Sequence, residues 1–320
     1  MSQHTKNDLN EKQENIYQNL AVQFKRDFNN CNNGSFETRS RYWHAVGERF
    51  GKYLAVCYRM KKIENVCGKH IRSYVEYLQA HGKSAGYIYT ELSAIRFWHK
   101  HSRNKNRLPD NKSLTLEKRQ IGRLNRGFLD FEIKDILAKA LEQKNFRLAV
   151  GVKIVECFGL RKNELVTLRV YQLENALKTR QLHIPNGKGG QARDIPLDTK
   201  EQFEIVTKIL DCAKRQGKKS ANYLFCNNHK DSVLKTKRSF TDWMSNHIDE
   251  ILSPDRKTQI ADGKKERADS GYGWHALRHT YAQRSKARLL ARGMSEQQAR
   301  REVSERLGHH RSAITKIYEE

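Results

Sequence analysis

The sequence predicts a mostly helical α+β chain with one small β-hairpin. Two observations predict it. Apolar residues recur at steps of three and four over long stretches, and only four prolines interrupt 320 residues. Two short stretches, Leu182-His183-Ile184 and Ala192-Arg193-Asp194-Ile195-Pro196-Leu197, flank the glycine-rich tip Asn186-Gly187-Lys188-Gly189-Gly190, as a hairpin requires.

The elements follow in order. Residues 1–34 are polar and rich in asparagine, and Ile16, Leu20, Phe24 and Phe28 recur at four-residue steps, which predicts one amphipathic helix ended by Asn30-Cys31-Asn32-Asn33-Gly34. Phe36 to Met60 reads as a long helix and Ile71 to Ala80 as another. Gly82-Lys83-Ser84 starts a third, with Ser84 as N-cap and Ile88, Leu92 and Ile95 as its buried stripe. Lys83, Arg96, Lys100 and Arg103 decorate the remaining surface of that helix, so residues 1–105 are expected to form a helical domain with a basic face. Residues 106–127 are polar and charged and read as an exposed basic linker, either a solvated tether or a strap on phosphates.

A second domain is expected over 128–320. Ile133, Ile136, Leu137 and Leu141 mark its first helix, and Leu148, Val152, Val155 and Phe158 a second that runs into Gly159-Leu160-Arg161. After the hairpin, Phe203, Val206, Leu210 and Ala213 mark a helix, Tyr223-Leu224-Phe225 reads as a strand, and Phe240, Trp243, Met244 and Ile248 mark another helix. Residues 253–272 are charged and loop-like. Leu277–Leu290 and Ser295–Leu307 are the last long helices, with Ser295 and Gln298 as a capping box and Gly308 as the stop.

Composition narrows the function. Sixty-one Lys and Arg stand against 36 Asp and Glu, a net charge of +25 spread along the whole chain, which points to a polyanion, nucleic acid ahead of a membrane surface. No apolar run approaches the roughly 18 residues that span a bilayer, and the polar N-terminus lacks the core of a signal peptide. The six cysteines form no Cys-x-x-Cys pair, so a reduced, cytoplasmic setting is expected, without zinc or disulfides.

Several residues could carry chemistry. Arg161 follows a buried helix end and needs an anionic partner, either Glu164 or a bound phosphate. His275 and Arg278 are three apart on one helix and share a face, so both can grip one phosphate. His275 and His279 have metal-ligand spacing, but Ala276 stands where a metalloprotease helix carries Glu, and no third ligand is at hand. Lys188 is followed by glycines and a strand, which excludes a nucleotide-binding P-loop. On the flexible tip its ammonium could reach into a groove or simply be solvated. His309 follows the helix stop, and Tyr318 lies near the end of the sequence.

The segments Gly159-Leu160-Arg161-x-x-Glu164-Leu165, His275-x-x-Arg278-His279, Leu307-Gly308-His309 and Thr315-x-x-Tyr318, with Lys188 on a hairpin between the first two, resemble the boxes of the tyrosine recombinases, or phage integrases. The resemblance covers roughly 128–320, and Ser84 to Phe97 is more weakly similar to the family's helical, SAM-like core-binding domain. Two departures stand out. The interval from Arg278 to His309 is longer than in compact members, with an extra turn of helix expected within 289–301. Only Glu319 and Glu320 follow Tyr318, where many relatives carry a segment that docks on a neighbouring subunit, so exchange of such a segment stays open. Residues 1–34 are too short for an arm-binding domain.

The resemblance implies a site-specific recombinase, an integrase of a phage or other mobile element. Tyr318 would attack the scissile phosphate, Arg161 and Arg278 would clamp it, Lys188 would protonate the leaving oxygen, and His275 and His309 would hydrogen-bond it. Glu164 would hold Arg161. No metal or other cofactor is required. The implied partner is double-stranded DNA, bound through both domains with Lys83, Arg96, Lys100 and Arg103 among the contacts. A homotetramer on DNA and accessory DNA-bending proteins are further implied, with the protein on the nucleoid in the cytoplasm. Two alternatives share the signature: a type IB topoisomerase, and a non-catalytic DNA-binding protein that keeps the fold.

Overall fold

The computed structural model describes residues 9–31, 33–118, 125–185, 187, 191–227, 229–258 and 272–309. The chain divides into two compact units, Met1–Gln120 and Ile121–Glu320. Among the described residues no helix is long and apolar enough to cross a membrane.

In the first unit, α1 (Glu11–Asn29) is capped by Asn10, whose side chain accepts from the Gln13 N–H while Gln13 bonds back to Asn10. It buries Leu20 and Phe24. The long helix expected from Phe36 to Met60 is broken into α2 (Phe36–Trp43), a π-helical segment (His44–Phe50) and α3 (Gly51–Tyr58). The physical reason lies in the packing: the wider turn sends Ala45, Val46, Gly47 and Phe50 inward together, more than a 3.6-residue stripe allows. The ring of Trp43 lies against Gly47, where a Cβ would fall 2.4 Å from it.

Helices α4 (Gly68–Ala80) and α5 (Ala85–His101) complete the unit, and Ser84 caps α5 by accepting from the Tyr87 N–H at 3.3 Å. Two buried acids are paired in its core. Glu91 takes the Arg49 guanidinium at 2.6 Å and the Tyr74 hydroxyl at 2.9 Å, and Asp27 accepts from the Trp98 indole at 2.9 Å. The stretch expected to begin an exposed linker packs on this unit instead. Leu114 enters the core, Leu108 and Leu116 pack against it half-buried, Asn106 donates to the Glu64 and Val66 carbonyls, and Gln79 donates to the Thr115 carbonyl. These leucines, thinly spaced among charges, are anchors that an averaged polarity hides.

The second unit runs α6 (Asp130–Glu142), α7 (Phe146–Phe158), α8 (Lys162–Val166), α9 (Val170–Thr179), β1 (Gln181–Ile184), β2 (Arg193–Pro196), α10 (Lys200–Arg215), α11 (Lys230–Ile251), α12 (Trp274–Ala291) and α13 (Glu296–Arg306). Its core centres on α7, apolar almost all round, packed along α12. Trp274 opens α12, stacks on Phe240 at 4.9 Å and donates to the Phe240 carbonyl.

Strands β1 and β2 pair antiparallel, with Leu182 opposite Ile195 and Ile184 opposite Arg193. The strand expected at Tyr223-Leu224-Phe225 is an isolated bridge between Tyr223 and Arg169, and the Leu224 N–H bonds the Leu168 carbonyl. Neighbouring backbone N–H groups of α9 turn to the Asn222 and Ser220 carbonyls, so the pairing ends after one bridge. Residues 289–301 hold the end of α12, a turn at Gly293 and the start of α13.

Candidate active site

Three chain segments meet where α7 and α13 end. Helix α7 stops at Gly159, in the left-handed region at φ +60°, with its N–H on the Val155 carbonyl at 2.8 Å. A Cβ there would fall 2.3 Å from the Tyr281 ring, so only glycine lets the chain pass α12 this closely. The stop places Arg161 at the N-cap of α8. Its backbone N–H donates to Glu164 at 2.7 Å, and its guanidinium donates to the same carboxylate at 2.9 Å.

Helix α13 ends in a Schellman cap around Gly308 (φ +63°). The His309 N–H bonds the Ser304 carbonyl and the Gly308 N–H bonds the Glu305 carbonyl, each at 2.8 Å. The Ser304 hydroxyl returns to the His309 carbonyl at 2.9 Å. His309 is therefore set by backbone bonds before its side chain makes any contact.

Three arginines from three elements serve three successive carbonyls at that end. Arg193 of β2 donates through Nε to Arg306 O at 2.9 Å, Arg278 of α12 through Nη2 to Leu307 O, and Arg161 through Nη2 to Gly308 O at 3.3 Å. Arg278 also donates through Nη1 to Gly159 O, so one buried guanidinium joins both helix ends. The unsatisfied carbonyls and the negative end of the helix dipole make this a natural seat for cations.

Electrostatics at the site follow from burial and these cations. Burial alone would raise the Glu164 carboxyl. The two bonds from Arg193, at 2.8 and 2.6 Å, and then the Arg161 backbone and side chain outweigh it and hold the group down at about 2. His309, half-buried, is held at about 3, first by burial and then by the charges of Arg278, Arg161, His275 and Arg193. His279 lies at about 3 for the same leading reason, with His275 and Arg278 adding to it. His275 is exposed, its ring edge-on to His279 with centroids 5.1 Å apart.

Of the residues singled out from sequence, Arg161, Glu164, Arg278 and His309 meet at this point, and His275 stands one turn before Arg278 on α12. Lys188 and Tyr318 lie outside the described residues. Arg193 was not foreseen, although a signal exists: a period of two puts it on the inward face of β2 with Ile195, and a charge there requires a buried partner. Three guanidiniums and one carboxylate leave this end of the unit with surplus positive charge and fixed N–H donors, which suits an oxyanion. Among the described residues no group of three His, Cys, Asp or Glu could hold a metal ion.

In the first unit, Lys83, Lys100 and Arg103 are exposed on or beside α5, with the Lys83 ammonium 5.8 Å from the Tyr87 ring centroid. Arg96 is half-buried and donates to the Pro109 carbonyl at 3.0 Å. It holds the stretch after α5 in place and is the least available of the four to a ligand.

The phage integrase family model matches residues 128–320. Among solved structures the chain is similar to the Tn1549 transposon integrase in complex with transposon right end DNA, at 15% identity and a TM-score of 0.57, covering 95% of this chain and 94% of that one. It is similar to a lambda integrase dimer bound to a COC′ core site at 13% identity and a TM-score of 0.57, covering 94% of each chain. It is also similar to the XerH site-specific recombinase bound to palindromic difH substrate, at 16% identity and a TM-score of 0.57, covering 98% of this chain and 94% of that one. No curated protein sequence matches. At these identities the structural likeness carries the fold, and the match over 128–320 carries the family. The chain belongs to the phage integrase family, the tyrosine recombinases.

Proposed function

We propose that this chain is a site-specific DNA recombinase that cuts and rejoins DNA through a 3′-phosphotyrosyl intermediate, serving as the integrase of a phage or other mobile element. Its family makes it a DNA strand transferase. The observation that carries the mechanistic reading is the meeting of Arg161, Arg278 and His309 at the end of α13, with hydrogen-bond donors held by three separate elements.

Tyr318 is the nucleophile. Its oxygen forms a bond to the scissile phosphorus, the bond to the 5′ oxygen breaks, Lys188 gives that oxygen a proton, and His275 takes the phenolic proton. Arg161 and Arg278 bind the non-bridging oxygens, whose charge grows in the transition state, and each such donor contributes on the order of 3 kcal/mol. His309, neutral, donates one hydrogen bond to the phosphate. The ester keeps the bond energy, so a second strand's 5′-hydroxyl can resolve it.

The duplex is held by both units, through Lys83, Lys100 and Arg103 in the first and through Arg161 and Arg278 at the scissile phosphate in the second. Four copies on two duplexes complete the exchange, and DNA-bending proteins can assist. The test is a nicked suicide duplex carrying the sequences that flank the chain's own gene. A covalent protein–DNA adduct mapping to Tyr318, lost in Tyr318→Phe, is the expected result. An adduct that persists in Tyr318→Phe removes the nucleophile assignment, and supercoil relaxation without strand exchange favours topoisomerase chemistry.

A further inference from the structure

Arg193 occupies a place that the reaction outlined above does not use. It sits on β2 opposite Ile184, 8% exposed, facing the core with Ile195. Its three nitrogens are all engaged inside the protein: Nη1 and Nη2 on the two oxygens of Glu164 at 2.8 and 2.6 Å, and Nε on the Arg306 carbonyl at 2.9 Å. Unlike Arg278, which donates to carbonyls and an imidazole, Arg193 spends its charge on the Glu164 carboxylate, so its role lies inside the protein. Its guanidinium is a bidentate fork, the geometry that fixes a carboxylate in orientation as well as position.

The fixed carboxylate then acts on Arg161. Glu164 has two oxygens and takes two bonds on them beyond that fork: the Arg161 backbone N–H on Oε2 and the Arg161 Nη1 on Oε1, while Arg193 holds the same two oxygens through Nη2 and Nη1. Arg161 keeps Nη2 on the Gly308 carbonyl, the residue before His309. Gly308 itself is packed against Arg193, where a Cβ would fall 3.0 Å from its Cδ. One side chain thus touches the carboxylate that orients Arg161 and the turn that carries His309.

We propose that Arg193 is a positioning residue for DNA cleavage, acting through Glu164 on Arg161 and through Arg306 O and Gly308 on the turn before His309. The proposal rests on the recombinase reading and adds a residue to it. Removing the fork leaves Glu164 buried beside one guanidinium, free to rotate, and Arg161 follows it away from the phosphate. Lysine keeps the charge but can serve only part of the three contacts, so charge and fork are separable by substitution.

The experiment compares wild type, Arg193→Gln and Arg193→Lys in single-turnover cleavage of a nicked duplex, with DNA affinity measured alongside. A parallel duplex carries a methylphosphonate at the scissile position, which removes the non-bridging charge that Arg161 would neutralise. On the phosphodiester, Arg193→Gln is expected to cleave about 100-fold more slowly, with duplex affinity unchanged, the size seen when a reacting geometry is misplaced by an ångström. Arg193→Lys is expected to recover about a tenth of the wild-type rate, because it restores charge without the fork. On the methylphosphonate the Gln variant's deficit is expected to shrink to a few-fold, because the clamp has less charge to meet.

An Arg193→Gln protein that cleaves like wild type overturns the assignment, and so does a deficit of equal size on both duplexes, which marks a general loss of structure. If Arg193→Gln does not fold, the Lys variant carries the same comparison. A wild-type chain that forms no adduct on either duplex sinks the recombinase reading and this proposal with it. That result is distinct from one in which wild type cleaves and Arg193 proves irrelevant.

Discussion

The Arg278 guanidinium donates through Nη2 to Nε2 of His309 at 3.2 Å. A guanidinium has no lone pair to offer, so Nε2 is the acceptor and the imidazole proton sits on Nδ1. Burial, followed by the charges of Arg278, Arg161, His275 and Arg193, keeps this ring neutral until about pH 3. An ordinary histidine in the unfolded chain binds its proton near pH 6.5. The unfolded chain therefore takes up protons first, and stability falls as pH drops from about 6.5 toward 3. His279, held at about 3, adds in the same sense. NMR titration of the ring protons should find both histidines neutral throughout pH 5 to 8, and a midpoint near 6.5 for His309 would refute the pairing.

Glu164 gives a second acid-side dependence in a lower window. Its carboxyl is 4.5 in the ordinary range and about 2 in the fold. The depressed value means that its stabilisation is complete above the ordinary value and is lost as pH falls through about 2. A shift of this size corresponds to roughly 3 kcal/mol. In urea titrations between pH 5 and 2, Glu164→Gln should start lower than wild type and fall less steeply. Parallel curves for the two proteins would show that the carboxylate is not the titrating group.

The two left-handed glycines at the site differ in what surrounds them. Alanine at Gly308 carries the strain of positive φ, about 1 kcal/mol, and presses on Arg193. Cleavage should therefore suffer more than thermal stability in Gly308→Ala. Alanine at Gly159 meets the rigid Tyr281 ring, and a loss of about 3 kcal/mol or more is expected by denaturant unfolding. Equal, small losses in both variants would mean that these turns relax freely.

Arg278 joins the Gly159 and Leu307 carbonyls, so its removal affects folding and chemistry together. Arg278→Lys reaches one carbonyl at most and loses the bond to His309. Cleavage should fall by about 100-fold or more, with the His309 ring rising toward an ordinary pKa as a charge next to it moves away. Full cleavage by Arg278→Ala would remove it from the clamp.

On the first unit, Lys100→Ala and Arg103→Ala should each weaken DNA binding about equally for all sequences and lower the salt slope by roughly one unit. Lys83→Ala is expected to do the same. Arg96→Ala should lower the stability of the unit and leave the slope nearly unchanged, because its guanidinium serves the Pro109 carbonyl. A full unit of slope lost on mutating Arg96 would reverse that order.

Local pattern settled much of this molecule. The apolar steps of α1, α5, α10 and α11, the caps at Ser84 and Ser295, the stop at Gly308 and the hairpin around Gly187 depend on neighbours in the chain, so a reading of neighbours finds them. The boxes around Arg161, Arg278 and His309 were legible as an ordered set. The amino-acid order alone determined a helical, strongly basic chain of the integrase family with its arginines and histidines in place. Tertiary structure decided which groups those side chains meet: that Arg193 takes the Glu164 carboxylate, that three arginines share one helix end, that the second helical stretch widens into a π-turn over its core, and that Leu108 and Leu114 draw a charged segment onto the first unit. Those outcomes turn on burial and on partners far away in sequence, where the cost of an unpaired charge or an empty core site selects the contact, and no local spacing records that cost.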